Sequence, residues 1–595
     1  MFTKLKYKFN FSIHSLLSLT TILCTLVFLE NDYSQNVGEH YRLNINNIDM
    51  PLNRNGIIAD VNIQPGGSGG KFDDIVFLFS AGFYLSGFSD DQLWSNGIAS
   101  ASLVQDYLPG IVGGGGNPQM YVLNSQDPDF GLSWQEWSDA VNLGADFYDG
   151  DGNGIYTPVD YNSNGQWDPE EDRPDLLGDE TVWCVYNDGV PALQRRWNTV
   201  PPYGIEIRQT VFAFASVGAI GNLLFLRYRI KYVGLGNPSE SDKMTDVYFG
   251  VWTDPDIGEV ENDVAGSDVE RNAGYTYDNE PDYHFGNQPP CFMVDFLSGP
   301  VAYIPGITFV DNDSSGDYTP GVDTDLDTAY SMRGQVIGIL KFPGATNLPI
   351  SSFVFFVGGD PNIDLPSNKE EVRNYLLGLT NLGNIPDPCV FPYGEVRGGV
   401  DCNSIDPKFW FSGDPVTDIG WIATINTDVK QTINTGPFDL NKGEVNEIVV
   451  AYVVGQGINP IDGITAAREI DDIAQNFFES NFYLSTDIYQ EKSSPKVEYS
   501  LQQNYPNPFN PGTIIMYEIP GQARNDNSFV TLKVYDVLGN EIATLVNEKK
   551  PAGSYEVEFD GIGLSSGIYF YRLSVRASTG SARHYVETRK MVLIK

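Results

Sequence analysis

Glycine and proline interrupt this chain too often for long helices to dominate it. The 61 Gly and 36 Pro among 595 residues cut the sequence into short runs, and most of these breaks are turns rather than helical interiors. Between the breaks lie strand-like segments: Ile75–Ser80, Ile205–Ser216, Asn222–Val233, Asp246–Trp252, Gln335–Phe342, Phe353–Gly358 and Glu447–Val454. Helical signals are few. Ser133-Trp134-Gln135-Glu136 has the form of a capping box, with Trp134, Trp137 and Val141 on one face. Ser367-Asn368-Lys369-Glu370 is a second box, leading into Val372, Leu376 and Leu379, and a third helix is expected from about Asp462 to Phe478. The expected fold class is mainly β: a multi-domain, β-sandwich-like acidic region over residues 35–490 with a few short helices, followed by a small C-terminal sandwich over 495–595.

The acidity of the chain is uneven. The formal net charge is −42, yet residues 495–595 carry 11 Lys/Arg and 10 Asp/Glu, and residues 1–35 carry 3 and 2. Residues 36–494 therefore hold 22 basic and 66 acidic residues. A surface of that sign repels nucleic acid and anionic lipid and suits cations. The acids are concentrated: twelve against one base (Arg173) between Asp139 and Glu180, and six against none between Asp311 and Asp327.

Within the first concentration, Asp149-Gly150-Asp151-Gly152-Asn153-Gly154-Ile155-Tyr156-Thr157-Pro158-Val159-Asp160 fits the spacing of an EF-hand calcium loop. Calcium takes six to eight hard oxygens, so acceptors at alternate positions wrap around it. A glycine at the sixth position allows the bend that returns a closing acid. Asp149, Asp151, Asn153 and the Ile155 carbonyl are the expected donors, with Asp160 closing. A second match begins where the first ends: Asp160, Asn162, Asn164, the Gln166 carbonyl, Asp168 and a bidentate Glu171. The third, Asp311-Asn312-Asp313-Ser314-Ser315-Gly316-Asp317-Tyr318-Thr319-Pro320, aligns without gaps on Asp149–Pro158. Its donors are Asp311, Asp313, Ser315 and Asp317. Val322 stands at its twelfth position, so Asp323 or Asp325 has to close it. Two loops sharing Asp160 leave no room for a helix between them. The arrangement resembles the calcium-stapled loops of dockerins and thrombospondin type 3 repeats, which implies a structural role for Ca2+. Asp254, Asp256, Glu259, Glu261 and Asp263 form another acidic loop without ligand spacing.

Catalytic signatures are weak. Gly66-Gly67-Ser68-Gly69-Gly70 matches a nucleophile elbow by letter, but Pro65 precedes it and a strand follows, so a flexible glycine loop is expected. His40 and His284 are the only histidines between the chain ends, and His284 reads as a loop residue. Carboxylate-pair glycan hydrolysis leaves no local signature, and Trp134, Trp137, Trp167, Trp183, Trp252 and Trp421 are possible stacking surfaces for sugars. Of Cys184, Cys291, Cys389 and Cys402, the last two form the expected local disulfide.

The two ends describe delivery. Lys4, Lys6 and Lys8 precede an apolar stretch from Phe11 to Leu29, diluted by Ser and Thr, which fits a removable signal peptide over 1–34. No later stretch is apolar enough to span a bilayer. At the other end stand Asn504-Tyr505-Pro506-Asn507-Pro508-Phe509-Asn510-Pro511, the strand-like Thr513–Pro520, Leu532-Lys533-Val534-Tyr535-Asp536-Val537-Leu538-Gly539, Tyr555–Asp560, Leu564–Leu573 and a final Thr588–Lys595. In this order the motifs closely resemble the type A C-terminal sorting domain of the bacterial type IX secretion system. The resemblance implies an Ig-like sandwich, the type IX machinery and its sortase as partners, and a surface lipopolysaccharide anchor. The chain is thus expected to be a secreted or surface-attached, calcium-stabilised structural or adhesion protein with no catalytic activity inferred. The alternative is a secreted glycan-binding or glycan-hydrolysing protein.

Overall fold

The computed structural model describes residues 38–98, 106–116, 118–216, 218–236, 240–483, 500–501, 504, 507, 509–519, 528–536, 540–550, 553–576 and 584–593. The expected signal peptide and several tail-motif residues (Tyr505, Pro506, Pro508, Leu538, Gly539) lie outside them. Two compact units, Met1–Tyr483 and Leu484–Lys595, divide the chain.

Two antiparallel sheets build the first unit. One has eight strands, in the order His40–Leu43, Ile48–Asn53, Gly70–Phe72, Ile75–Ser89, Lys243–Pro255, Lys430–Asn441 and Ile350–Phe356, with Gln92–Ile98 also paired to Ile75–Ser89. The other has nine, in the order Asp263–Asp268, Ala273–Asp278, Pro290–Ser298, Val445–Gln456, Leu223–Tyr232, Ile205–Ala213, Glu180–Asn187 and Leu108–Pro109, with Tyr121–Asn124 on Glu180–Asn187. Aromatic rings join the inner faces: Tyr228 lies 6.0 Å from Phe83 and 5.4 Å from Phe249, and Phe77 meets Phe292 at 5.3 Å. Pairs at such distances add stabilisation beyond the area they bury.

Four α-helices occur among the described residues: α1 (Leu132–Asn142), α2 (Gly334–Ile337), α3 (Lys369–Leu376) and α4 (Asp462–Glu479). Helix α4 lies on the outer face of the nine-stranded sheet. A Cβ on Gly455 would come within 2.1 Å of the Ala467 nitrogen, so only glycine lets the helix approach that strand. Phe477 and Phe482 then pack on Phe214, Phe212 and Phe225. At the other end of the sheet α1 packs Trp137 on Trp183, and all eight residues of Glu180–Asn187 are buried.

Several boundaries differ from expectation. Gln335–Phe342 is not one strand. Gly334 and Gly338 adopt φ of 81° and 91°, the Asn481 side chain clamps the Gly334 amide and carbonyl at 2.9 and 2.7 Å, and only Ile339–Pro343 is extended. The N-cap of α1 is Gly131, without a side-chain cap, and not Ser133, which is buried inside the first turn. Asn368 rather than Ser367 caps α3, accepting from the Glu371 amide, while Glu371 reaches back to the Ser367 amide at 2.7 Å. The box is real but shifted by one residue. The Cys389–Cys402 disulfide is present, and Cys184 and Cys291 are buried and free.

The second unit is a small sandwich. A three-stranded sheet (Ser500–Leu501, Gly512–Ile519, Gly553–Asp560) faces a four-stranded one (Glu541–Lys550, Ser528–Tyr535, Gly567–Arg576, His584–Leu593). Leu501, Ile515 and Tyr517 from the first share a core with Val530, Leu532, Tyr571 and Leu573 from the second. The proline-rich entry is pinned by polar contacts. The Asn504 amide donates to the Tyr571 hydroxyl at 2.8 Å, and Asn507 Oδ1 accepts from the Val592 amide at 2.9 Å. Among the described residues no helix is long and apolar enough to cross a membrane.

Candidate metal centre

The three acidic loops have one backbone design. The first residue of each takes two amides: Asp149 from Asn153 and Gly154 (3.1 and 2.9 Å), Asp160 from Asn164 and Gly165 (3.2 and 2.8 Å), Asp311 from Ser315 and Gly316 (3.1 and 2.9 Å). The third residue (Asp151, Asn162, Asp313) caps the fifth amide at 3.1, 2.9 and 3.0 Å. The fifth (Asn153, Asn164, Ser315) accepts in turn from the seventh, Ile155, Gln166 and Asp317. Left-handed backbone recurs at the fourth position (Gly152 72°, Ser163 58°, Ser314 58°) and the sixth (Gly154 75°, Gly165 77°, Gly316 85°). These bends let alternate side-chain oxygens cap successive amides, a winding that suits a hard cation.

Closure departs from the simple spacing. Each loop ends on a carboxylate that accepts from the second and ninth amides. In the second loop it is Glu171, from Tyr161 and Asp168 at 2.7 and 3.0 Å. In the third it is Asp323, from Asn312 and Thr319 at 2.8 and 2.7 Å, while Asp325 takes the Tyr318 hydroxyl. In the first it is Asp172, from Gly150 and Thr157 at 3.0 and 2.6 Å, and not Asp160. Asp160 is committed to heading the second loop. Asp323 lies twelve positions after Asp311 and Asp172 twenty-three after Asp149; the twelve residues of the second loop, Asp160–Glu171, stand where the third loop has Val322 alone. The third loop's closing acid one place past the usual position was the available signal for Asp172.

Carboxylate oxygens of Asp149, Asp151 and Asp172 all lie within 4.8 Å of one another, as do those of Asp311, Asp313 and Asp323. Burial and the nearby Asp151 and Asp149 charges push the Asp172 carboxyl up against the pull of its two amide donors. The donor set is all hard oxygen, which fits calcium and excludes soft-metal chemistry. Asp168 instead accepts from the Asn162 and Asn164 amides at 2.6 and 2.9 Å, so it orients two donors of the second loop.

Packing holds the loops in place. The eighth residue of each is aromatic. The Tyr156 hydroxyl donates to the Trp134 carbonyl at 2.9 Å, Trp167 Nε1 to the Glu171 carbonyl at 2.9 Å, and Tyr318 stacks on Tyr303 at 5.2 Å. Two-residue ladders close the bases, Phe147–Tyr148 with Arg173–Pro174 and Phe309–Val310 with Thr324–Asp325. A Cβ on Gly150 would lie 2.3 Å from the Glu171 carbonyl, so this glycine admits the closing segment. On either side of the tandem, Arg229 and Arg333 pair with Asp146, and Arg227 pairs with Asp175. Burial raises Asp146, but the three arginines outweigh it and hold the carboxyl down at about 2.

The Asp254 loop is different. Asp254, Asp256 and Asp428 converge, but Lys430 lies 3.2 Å from Asp254 and also pairs with Asp428, so this cluster has its own cation. Burial pushes Asp254 to about 7 and Asp256 to about 6.

The possible catalytic features do not assemble. Ser68 stands just after a turn closed by Ile63 and Gly67, with positive φ at Gly66, Gly67 and Gly69, and no strand leads into it. The His284 amide donates to Asp282, a turn contact. Trp134, Trp137, Trp183, Trp252 and Trp421 are each at most 3% exposed, while Trp167 is half-buried, with Arg173 over its ring and Tyr148 edge-on to it. A cleft of about 180 Å³ between Tyr277, Arg397 and Asp418 contains one acid, which Arg397 binds at 2.8 Å.

Residues 503–587 match the family model of the secretion system C-terminal sorting domain. No curated protein matches the chain. Among solved structures it is similar to a polysaccharide lyase, at 8% identity and a TM-score of 0.25, over 94% of this chain and 47% of the lyase. The chain thus spans about half the length of that enzyme. The sorting tail indicates export by type IX secretion to the cell surface or beyond it.

Proposed function

We propose that residues 35–490 form a calcium-stabilised, non-catalytic structural or adhesive body that the tail delivers to the cell exterior. The observation that carries this reading is the threefold repetition of one carboxylate cradle, with closing acids Asp172, Glu171 and Asp323 each held by two amides. The ligand sets are Asp149, Asp151, Asn153, the Ile155 carbonyl and Asp172; Asp160, Asn162, Asn164, the Gln166 carbonyl and Glu171; and Asp311, Asp313, Ser315, the Asp317 carbonyl and Asp323. Calcium supplies the positive charge that so many clustered oxygens otherwise lack, at about 4–6 Å separations where repulsion is costly. Removal of the tail by the secretion sortase and transfer to a lipopolysaccharide anchor complete the reading.

Extracellular calcium modules bind with a Kd on the order of 0.1–1 mM. At about 1 mM calcium and a Kd near 0.1 mM, each site adds about 1.4 kcal/mol. Calorimetric titration of the purified chain is expected to show three calcium equivalents, and its melting temperature to rise by about 4 °C over the chelated protein. No binding heat at millimolar calcium would sink the proposal. Turnover of a polysaccharide that vanished on changing one carboxylate pair would replace it with the glycan-active alternative.

A further inference from the structure

We infer that Asp295 and Asp471 share one proton, and that this bond is a clamp, weakened by rising pH, holding α4 on the nine-stranded sheet. Asp295 lies in the strand Pro290–Ser298, and its neighbours across the sheet are Ala273 and Ala451. Their small side chains leave room for the helix to descend. Asp471 lies on the buried side of α4, and both carboxyls are 0% exposed. Asp295 Oδ2 accepts from Gln475 Nε2 at 2.5 Å, and Asp471 Oδ2 accepts from Arg271 Nη1 at 3.0 Å. Among the described residues no group donates to the second oxygen of either carboxyl, and the two side chains lie within hydrogen-bonding reach of each other. Two carboxylates bond only if one carries a proton. Arg271 favours the anion on Asp471, so the proton belongs on Asp295.

The surroundings do not supply a second charge. Arg271 is shared with Asp472 at 2.5 Å, and Arg468 is taken by Asp268 and Asp414 at 2.8 and 2.9 Å. Burial keeps the Cys291 thiol neutral. Glu447, at the far end of the neighbouring strand, lies within 4.0 Å of Arg227, Arg229 and Arg333. The turn Ala219–Asn222 under the helix has no ionisable residue. Burial and the Asp471 charge raise Asp295 strongly, while burial raises Asp471 against the pull of Arg271 and of its bond to Asp295. A raised folded value means that the folded state binds the proton more tightly than the unfolded one. The contribution is complete below the ordinary carboxylate range and is lost as pH rises toward the folded value.

Melting of the full chain from pH 5 to pH 9, at one fixed calcium concentration, tests this. Asp295→Asn keeps an acceptor for Gln475 and provides a permanent donor to Asp471. Its melting temperature is expected to fall less than wild type over this range, by about 2 °C or more, and to equal or exceed wild type at pH 9. Parallel curves would overturn the inference. Hydrogen exchange in the unmutated protein, corrected for the intrinsic pH dependence of exchange, gives a readout independent of that variant. Protection of α4 should decline more from pH 5 to pH 9 than that of Glu180–Asn187, and a uniform decline overturns the clamp. Calcium is constant throughout, so neither result depends on the loop ligands.

Discussion

A carboxylate that accepts one amide on each oxygen is oriented before any cation arrives, yet keeps its remaining lone pairs for one. Asp172, Glu171 and Asp323 are in this state, so their loss removes the staple that shapes the loop and, on the proposed reading, a ligand as well. Asp172→Ala is therefore expected to lower the calcium stoichiometry by one and leave the third loop unchanged. Asp160→Ala is expected to silence the second loop and spare the first. Titration calorimetry of the two variants checks this, and equal behaviour would return closure of the first loop to Asp160. Backbone conformation gives a separate check. Gly165 has φ of 77° with open space around its Cβ position, so Gly165→Ala tests strain alone, at about 1 kcal/mol in chemical denaturation. The heading and alternate residues of the loops were legible because they are local in sequence. Asp172 was not, because an inserted loop displaced it and only the fold returns it to Asp149.

At the scale of elements, α1 is a wedge between the tandem loops and the nine-stranded sheet. Trp137 is buried against Trp183, and its Nε1 donates to the Asp146 carbonyl at 2.9 Å. Trp137→Ala is expected to cost about 3–5 kcal/mol and to weaken calcium binding by loosening the loop entry; denaturant and calcium titrations measure the two effects. The Cys389–Cys402 bridge closes a 13-residue separation. Replacing both cysteines with serine is expected to cost about 3 kcal/mol, the chain-entropy value for such a loop, read from the denaturation midpoint. Strands with clear alternation or apolar runs, such as Leu223–Tyr232, were visible in sequence. Lys430–Asn441 was not, since Pro437 interrupts it, and the fold tolerates that proline where the pairing with Lys243–Pro255 shifts register. The α1 start was misplaced because Ser133 is a good capping residue locally, while packing buries it in the first turn.

For the whole molecule, buried acids set the pH response. Asp254, Asp256 and Asp278 are raised by burial to about 7, 6 and 8. Each stabilises most below the ordinary carboxylate range and loses that contribution as pH climbs to its folded value. The melting temperature is therefore expected to fall steadily between pH 5 and pH 9, and a flat profile would contradict these burials. Deleting residues 484–595 is expected to leave the calcium-dependent melt of the first unit intact while abolishing its appearance outside the cell, assayed by fractionation and melting.

Local order alone settled the β-rich class, the proline-pinned sorting tail, the nearby disulfide and the headings of three acidic loops, since these depend on turn chemistry and short spacing. Tertiary structure decided which acid closes the first loop, that five of the six candidate tryptophans are buried by packing, and which acids are buried in pairs. Those outcomes depend on residues far apart in sequence meeting where water is excluded, and no local pattern encodes that meeting.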